Sequence, residues 1–146
     1  MDRFIEFLLN HYLLTLALAV VTFLLIQDLF ESAFNKFKSL SPMLAVAKMN
    51  SNDVSIIDVR EPHEFIKGHI ENAINIPLGK LANQLSQFAH QKDNPVIVVC
   101  QTGARSVPAC KTLTKAGFTD VYNIIGGIQA WEDGKLPIKI TSKNKN

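Results

Sequence analysis

Pro95-Val96-Ile97-Val98-Val99-Cys100, followed by Gln101-Thr102-Gly103-Ala104-Arg105 and then Ser106, is the stretch on which the fold turns. The run ending at Cys100 is apolar without alternation, the pattern of a strand buried on both faces of a parallel sheet. Ser106 to Ala116 continues with helical spacing, and Gly117 supplies a C-cap. A strand that passes through a short loop into a helix sets that loop at the carboxyl end of the sheet, where open parallel sheets bind ligands.

The residues in the loop suit a thiolate. Gly103 permits the dihedrals of a tight turn, so successive backbone N–H groups turn inward as an anion-binding nest. The following helix adds its positive end, and Arg105 adds a charge with a fork for an oxyanion. Basic neighbours and helix N-termini lower a thiol pKa from about 8.5 by several units. Cys100 is therefore expected to be a reactive nucleophile or group carrier, with no metal, cofactor or histidine base required. A buried cysteine is often only a small hydrophobe; here strand, glycine and helix all agree on the functional reading.

Outward from the loop, strands alternate with helices. Ser41-Pro42 opens a helix with a hydroxyl cap and proline at the first position. Val54–Val59 reads as a strand, Glu61–Lys67 as a brief helix closed by Gly68, and Ala73–Ile76 as a strand stopped by Pro77. Leu81, Leu85 and Phe88 mark an amphipathic helix, Asp120–Ile124 a last strand and Ile128–Glu132 a last helix. This order predicts an α/β domain with a mainly parallel sheet.

The 146 residues allow one domain with a real core. A net charge of +2 and dispersed lysines exclude the basic stripe that nucleic acid requires. Two cysteines, Cys100 and Cys110, are too few for a disulfide scaffold. No histidine spacing suggests a metal site.

Apolar residues crowd the N-terminus. Phe7 to Gln27 carries no Asp, Glu, Lys or Arg, and as a helix it spans roughly 30 Å, the thickness of a bilayer core. Residues 1–27 are expected to form one N-terminal transmembrane helix. A cleaved signal peptide fits less well, because Asp2 and Glu6 flank Arg3 and no small-x-small site follows at the usual distance. Residues 28–37 form a linker: Leu29, Phe30, Ala33, Phe34, Phe37 and Leu40 keep helical spacing, either at the headgroups or packed on the domain. Lys36, Lys38 and Lys48 follow the span, which places the domain in the cytoplasm of a single-pass inner-membrane protein. That reducing side suits a free thiol.

With these residues in place, the chain resembles a rhodanese domain. Besides Cys100–Ser106, the matching segments are Ile56-Ile57-Asp58-Val59-Arg60-Glu61-Pro62-His63-Glu64-Phe65, Gly68-His69-Ile70, Ala73–Pro77, Ala116-Gly117-Phe118 and Gly126-Gly127-Ile128-Gln129-Ala130-Trp131. The resemblance implies a rhodanese-like fold over residues 38–138, a five-stranded mostly parallel sheet with helices on both faces, with 139–146 as a fraying polar tail. It also implies a double displacement in which Cys100 takes a sulfane sulfur from thiosulfate or a persulfide, then passes it to a thiol or a protein acceptor. Gln101, Thr102, Gly103, Ala104 and Arg105 would bind substrate, with Arg105 orienting an anionic donor. The six-residue loop is the size seen in sulfurtransferases, whereas the related phosphatases have one residue more. A non-catalytic docking or sulfur-relay module at the bilayer is the alternative.

Asp58, Arg60 and Glu64 belong to the family's signature segment and read as a structural ion-pair set beside the site, with Arg60 as a second candidate for substrate contact. Cys110 reads as core packing, with a resolving thiol as the alternative. His69 is expected to be a structural hydrogen-bonder, His63 exposed, and Trp131 a dock for the last helix.

Overall fold

In a computed structural model the described residues are 11–34, 36–51 and 53–141. They form two compact units that divide between residues 35 and 36.

The first unit is a 23-residue helix, α1 (Tyr12–Phe34). It contains no glycine or proline, so nothing interrupts it at residue 27, and it runs through much of the segment expected to be a linker. Tyr12, Leu13, Leu14, Leu16, Leu18 and Phe23 are all exposed. The Thr22 hydroxyl donates back to the Leu18 carbonyl at 2.9 Å, so this polar group is satisfied within the helix. Residues 1–10 of the expected span lie outside the described residues. Among the described residues no helix is long and apolar enough to cross a membrane.

The second unit is built on β1 (Lys38–Leu40), β2 (Ser55–Asp58), β3 (Ile74–Asn75), β4 (Val96–Val99) and β5 (Val121–Ile124). Their order in the sheet is β1-β5-β4-β2-β3, and every adjacent pair is parallel. The unbroken apolar run therefore sits at the centre. Val96 and Val98 pack on one face with Leu81, Ala109, Leu113 and Phe118. Ile97 and Val99 pack on the other with Ala45, Ile70, Ile128 and Trp131. Both faces are covered, which explains why this strand shows no polar alternation.

The covering helices are α2 (Pro42–Ser51), α3 (Pro62–Phe65), α4 (Leu78–Gln84), α5 (Ser106–Lys115) and α6 (Gly127–Asp133). The amphipathic stretch from Leu81 to Phe88 is two elements, because α4 tightens into a 3-10 helix over Leu85–Gln91. The helical spacing expected to continue to Leu40 ends earlier. Lys38–Leu40 instead pairs with Tyr122–Ile124 as the edge strand, and Phe37 packs against the core. Three edge residues are too few to show an alternation of their own, so only the partner strand makes β1 a strand. The polar tail is also tied down at its start: His69 and Lys139 exchange backbone hydrogen bonds of 3.0 and 2.7 Å. Residues 142–146 lie outside the described residues.

Candidate active site

Cys100 follows β4 directly and has no exposed surface. Its sulfur accepts a hydrogen bond from the Gly103 N–H at 3.0 Å and lies 3.5 Å from the Ser106 hydroxyl. Gly103 takes φ +98°, a left-handed value that turns its N–H toward the sulfur. Burial pushes the Cys100 thiol up. The Ser106 hydroxyl and the backbone N–H groups of Ser106, Gly103 and Arg105 outweigh it, so its pKa falls below the ordinary value. The hydrogen bonds follow directly from the loop-into-helix geometry read in the sequence.

Ser106 is held in turn by Asn123, a buried polar residue on β5, whose Oδ1 lies 2.5 Å from the Ser106 hydroxyl. Nothing in the local sequence links these two residues; an asparagine inside an otherwise apolar strand is the only hint. Ser106→Ala should move the Cys100 thiolate absorbance transition to higher pH. It should also slow reaction at neutral pH roughly tenfold, as expected for losing one hydrogen bond to a charged group. Cys110 does not interfere with this titration: burial, and secondarily the charge of Cys100, push its thiol up to about 12. Its place in the core supports the packing role.

The far side of the loop is pinned by α6. Ile128 N–H donates to the Cys100 carbonyl at 2.8 Å, and Gln129 N–H donates to the Gln101 carbonyl at 3.1 Å. This approach requires Gly127, where a Cβ would stand 2.3 Å from the Cys100 oxygen and φ is +60°. Trp131 docks the same helix, its indole N–H donating to the Pro137 carbonyl at 3.0 Å.

The signature segment supplies two ion pairs rather than one network. Asp58, with no exposed surface, accepts from Arg60 Nε at 3.0 and 3.1 Å and from Nη2 at 2.8 Å. The same guanidinium donates to the Gly68 carbonyl at 2.7 Å and to Gln101 Oε1 at 3.1 Å. Arg60 thus holds the first residue of the loop. Glu64 pairs with Arg105: both Nη atoms lie 2.7 Å from its two carboxylate oxygens. Arg105, expected to meet an anionic donor with its fork free, has that fork occupied. Thr102 and Ala104 are exposed at the loop surface, and Gln101 and Gly103 are half-buried. His69 is structural, bonded through Nδ1 to the Phe65 carbonyl at 2.9 Å and stacked on the Phe65 ring. His63 is exposed.

The Arg105 hydrogen bonds hold the Glu64 carboxyl down at about 2, against burial, from an ordinary 4.5. A depressed carboxyl pKa means the pair stabilises the fold fully above about pH 4.5 and loses that contribution as pH falls toward about 2. Both side chains are partly exposed, so the contribution is on the order of 1–2 kcal/mol. Melting curves of the wild type should therefore lose a component between these pH values that Glu64→Gln lacks. Parallel pH profiles for the two proteins would contradict this role of the pair.

Beside the loop lies a cleft of about 310 Å³ lined by Arg60, Glu64, Lys67, Gln101, Ile128 and Glu132, among others. Among the described residues no group of three or more His, Cys, Asp or Glu is placed to hold a metal ion.

A family model described as the rhodanese-like domain matches residues 41–133. The chain is 31% identical over 139 residues to the uncharacterized protein YibN of Escherichia coli K12, covering 94% of this chain and 97% of that one. It is 36% identical over 99 residues to the thiosulfate sulfurtransferase GlpE of Shewanella oneidensis, covering 68% and 96% of the two chains. Among solved structures, a rhodanese-related protein from Thermoplasma volcanium superposes with a TM-score of 0.64 at 30% identity, covering 70% of this chain and 98% of that one.

Proposed function

The chain belongs to the rhodanese-like domain family, and from that membership we propose that it is a sulfurtransferase carrying a sulfane sulfur on Cys100. The observation that carries the reading is the hydrogen-bond cradle around Cys100 Sγ, which favours the thiolate. In the first half-reaction the thiolate attacks the outer sulfur of thiosulfate or of a persulfide. The donor's S–S bond breaks, its electron pair leaves with sulfite or with the donor thiolate, and Cys100 becomes a persulfide anion. In the second, an acceptor thiolate attacks the terminal sulfur, and the Cys100 thiolate is the leaving group. The Gln101–Arg105 backbone binds the charge in both states, and neither step needs a cofactor.

Because Cys100 has no exposed surface, donor access requires the loop to move. The same observation favours the second reading, a docking or relay module with little turnover of its own. Incubating the full chain with thiosulfate or glutathione persulfide distinguishes them. A sulfurtransferase gains one sulfur, mapped to the peptide containing Cys100, and loses it to added thiol. A chain that stays unmodified with every donor while still binding a protein partner fits the docking module.

We also propose that α1 belongs to an inner-membrane anchor, with the catalytic domain on the cytoplasmic face. Its exposed apolar side chains and internally satisfied Thr22 hydroxyl support this. Membrane fractionation and a topology reporter fused after residue 146 test it; extraction by salt alone, or a reporter active outside the cytoplasm, would overturn it.

A further inference from the structure

Building on the sulfurtransferase reading, we propose that Glu64 is a specificity-determining residue: its carboxylate occupies the Arg105 fork and biases Cys100 toward zwitterionic low-molecular-weight thiol persulfides over dianionic thiosulfate.

Two independent observations carry this. The first is the ion pair. Both Nη atoms of Arg105 are 2.7 Å from Glu64 oxygens, so the end-on face of the guanidinium is taken and its charge is already compensated when a sulfonate arrives. Glu64 is also fixed from its other side, accepting the Glu61 backbone N–H at 3.0 Å, so it does not swing aside without breaking the helix cap. An arriving dianion must displace this carboxylate or lie beside it, and like charges in a partly desolvated site cost several kcal/mol.

The second is the charge of the cleft. Its lining holds two cations, Arg60 and Lys67, and two carboxylates, Glu64 and Glu132. Arg60 is neutralised by Asp58 and Glu64 by Arg105. That leaves Lys67 and Glu132, both exposed and neither in an ion pair among the described residues. A funnel for thiosulfate would be uniformly positive. This cleft instead offers one cation and one anion, which complements a donor carrying both a carboxylate and an ammonium group. Gln101 and Ile128 line the same cleft beside the Cys100 peptide, so a donor seated there has its sulfane sulfur near the loop.

The donor step balances for this substrate. The Cys100 thiolate bonds to the outer sulfur of R–S–SH and the R–S bond to that sulfur breaks. The departing thiolate takes up the proton, leaving Cys100–S–S⁻ and R–SH.

The test measures Cys100 loading rates in the full chain with thiosulfate and with cysteine persulfide, for wild type, Glu64→Gln and Glu64→Asp. Glu64→Gln keeps an oxygen for the helix cap but removes the charge. It should raise the thiosulfate-to-persulfide ratio of kcat/KM about tenfold or more. Glu64→Asp, which keeps the charge, should stay near the wild-type ratio. An unmoved ratio in Glu64→Gln, or the same rise in both variants, overturns the proposal while leaving the sulfurtransferase reading intact. Should Glu64→Gln not fold, the wild type still decides: a KM for thiosulfate at or below that for cysteine persulfide refutes the bias. Loading by neither donor would remove the sulfurtransferase reading, and this one with it.

Discussion

Cys100→Ser loses sulfur loading, by roughly three orders of magnitude or more, while keeping its fold. The serine hydroxyl fits the same space, accepting from the Gly103 N–H and donating to the Ser106 oxygen. It does not ionise near neutral pH, however, and its oxygen forms no stable bond to a sulfane sulfur. The thermal midpoint should change little, because a small buried group with hydrogen-bond partners replaces another. Cys110→Ala is the control: it removes a core thiol and should leave sulfur uptake in place. Intact-mass measurement after exposure to donor reads all three proteins. Equal uptake by wild type and Cys100→Ser would falsify the persulfide mechanism.

Arg60→Ala has the largest expected effect on stability, a loss of about 3–5 kcal/mol. Asp58 has no exposed surface, and Arg60 meets both of its oxygens. Removing the guanidinium leaves a buried carboxylate without its charge partner, and the Gly68 carbonyl loses its donor as well. A drop of this size corresponds to roughly 10–20 °C in the melting temperature of a domain this large. The double variant Asp58→Ala/Arg60→Ala should cost less than the sum of the single variants, since no unpaired charge remains. Strict additivity would mean that the pair is not coupled. Arg60→Ala should also impair loading at temperatures where it is folded, because Gln101 loses the contact that anchors the start of the loop.

Ser106→Ala and Glu64→Gln act on the same sulfur by different routes. The first withdraws a hydrogen bond from the thiolate; the second frees Arg105 for an incoming anion. The two are separable, because only the first moves the thiolate titration and only the second changes donor preference.

Much of this was legible in the linear chain. The unbroken run Val96–Val99 predicted the central two-faced strand, and the order of strands and helices predicted the parallel sheet. Cys100 and the glycine-containing loop are contiguous, so their chemistry follows from local neighbours: strand end, left-handed glycine, helix N-terminus. Such features depend on dihedral preference and short spacing, which a sequence displays directly.

The partners of those residues come from distant segments. Glu64 reaches Arg105, and Arg60 reaches Gln101, across 41 positions of chain in each case. Asn123 meets Ser106 because β5 lies beside β4, and Gly127 presses on Cys100 because α6 starts where that strand ends. Lys38–Leu40 becomes a strand only because β5 offers it an open edge. The chain by itself thus determined that Cys100 closes the central strand and at which end of the sheet its loop stands. Tertiary structure alone decided how its arginine is spent, because that depends on which charged groups the sheet register and the signature helix bring within 3 Å of one another.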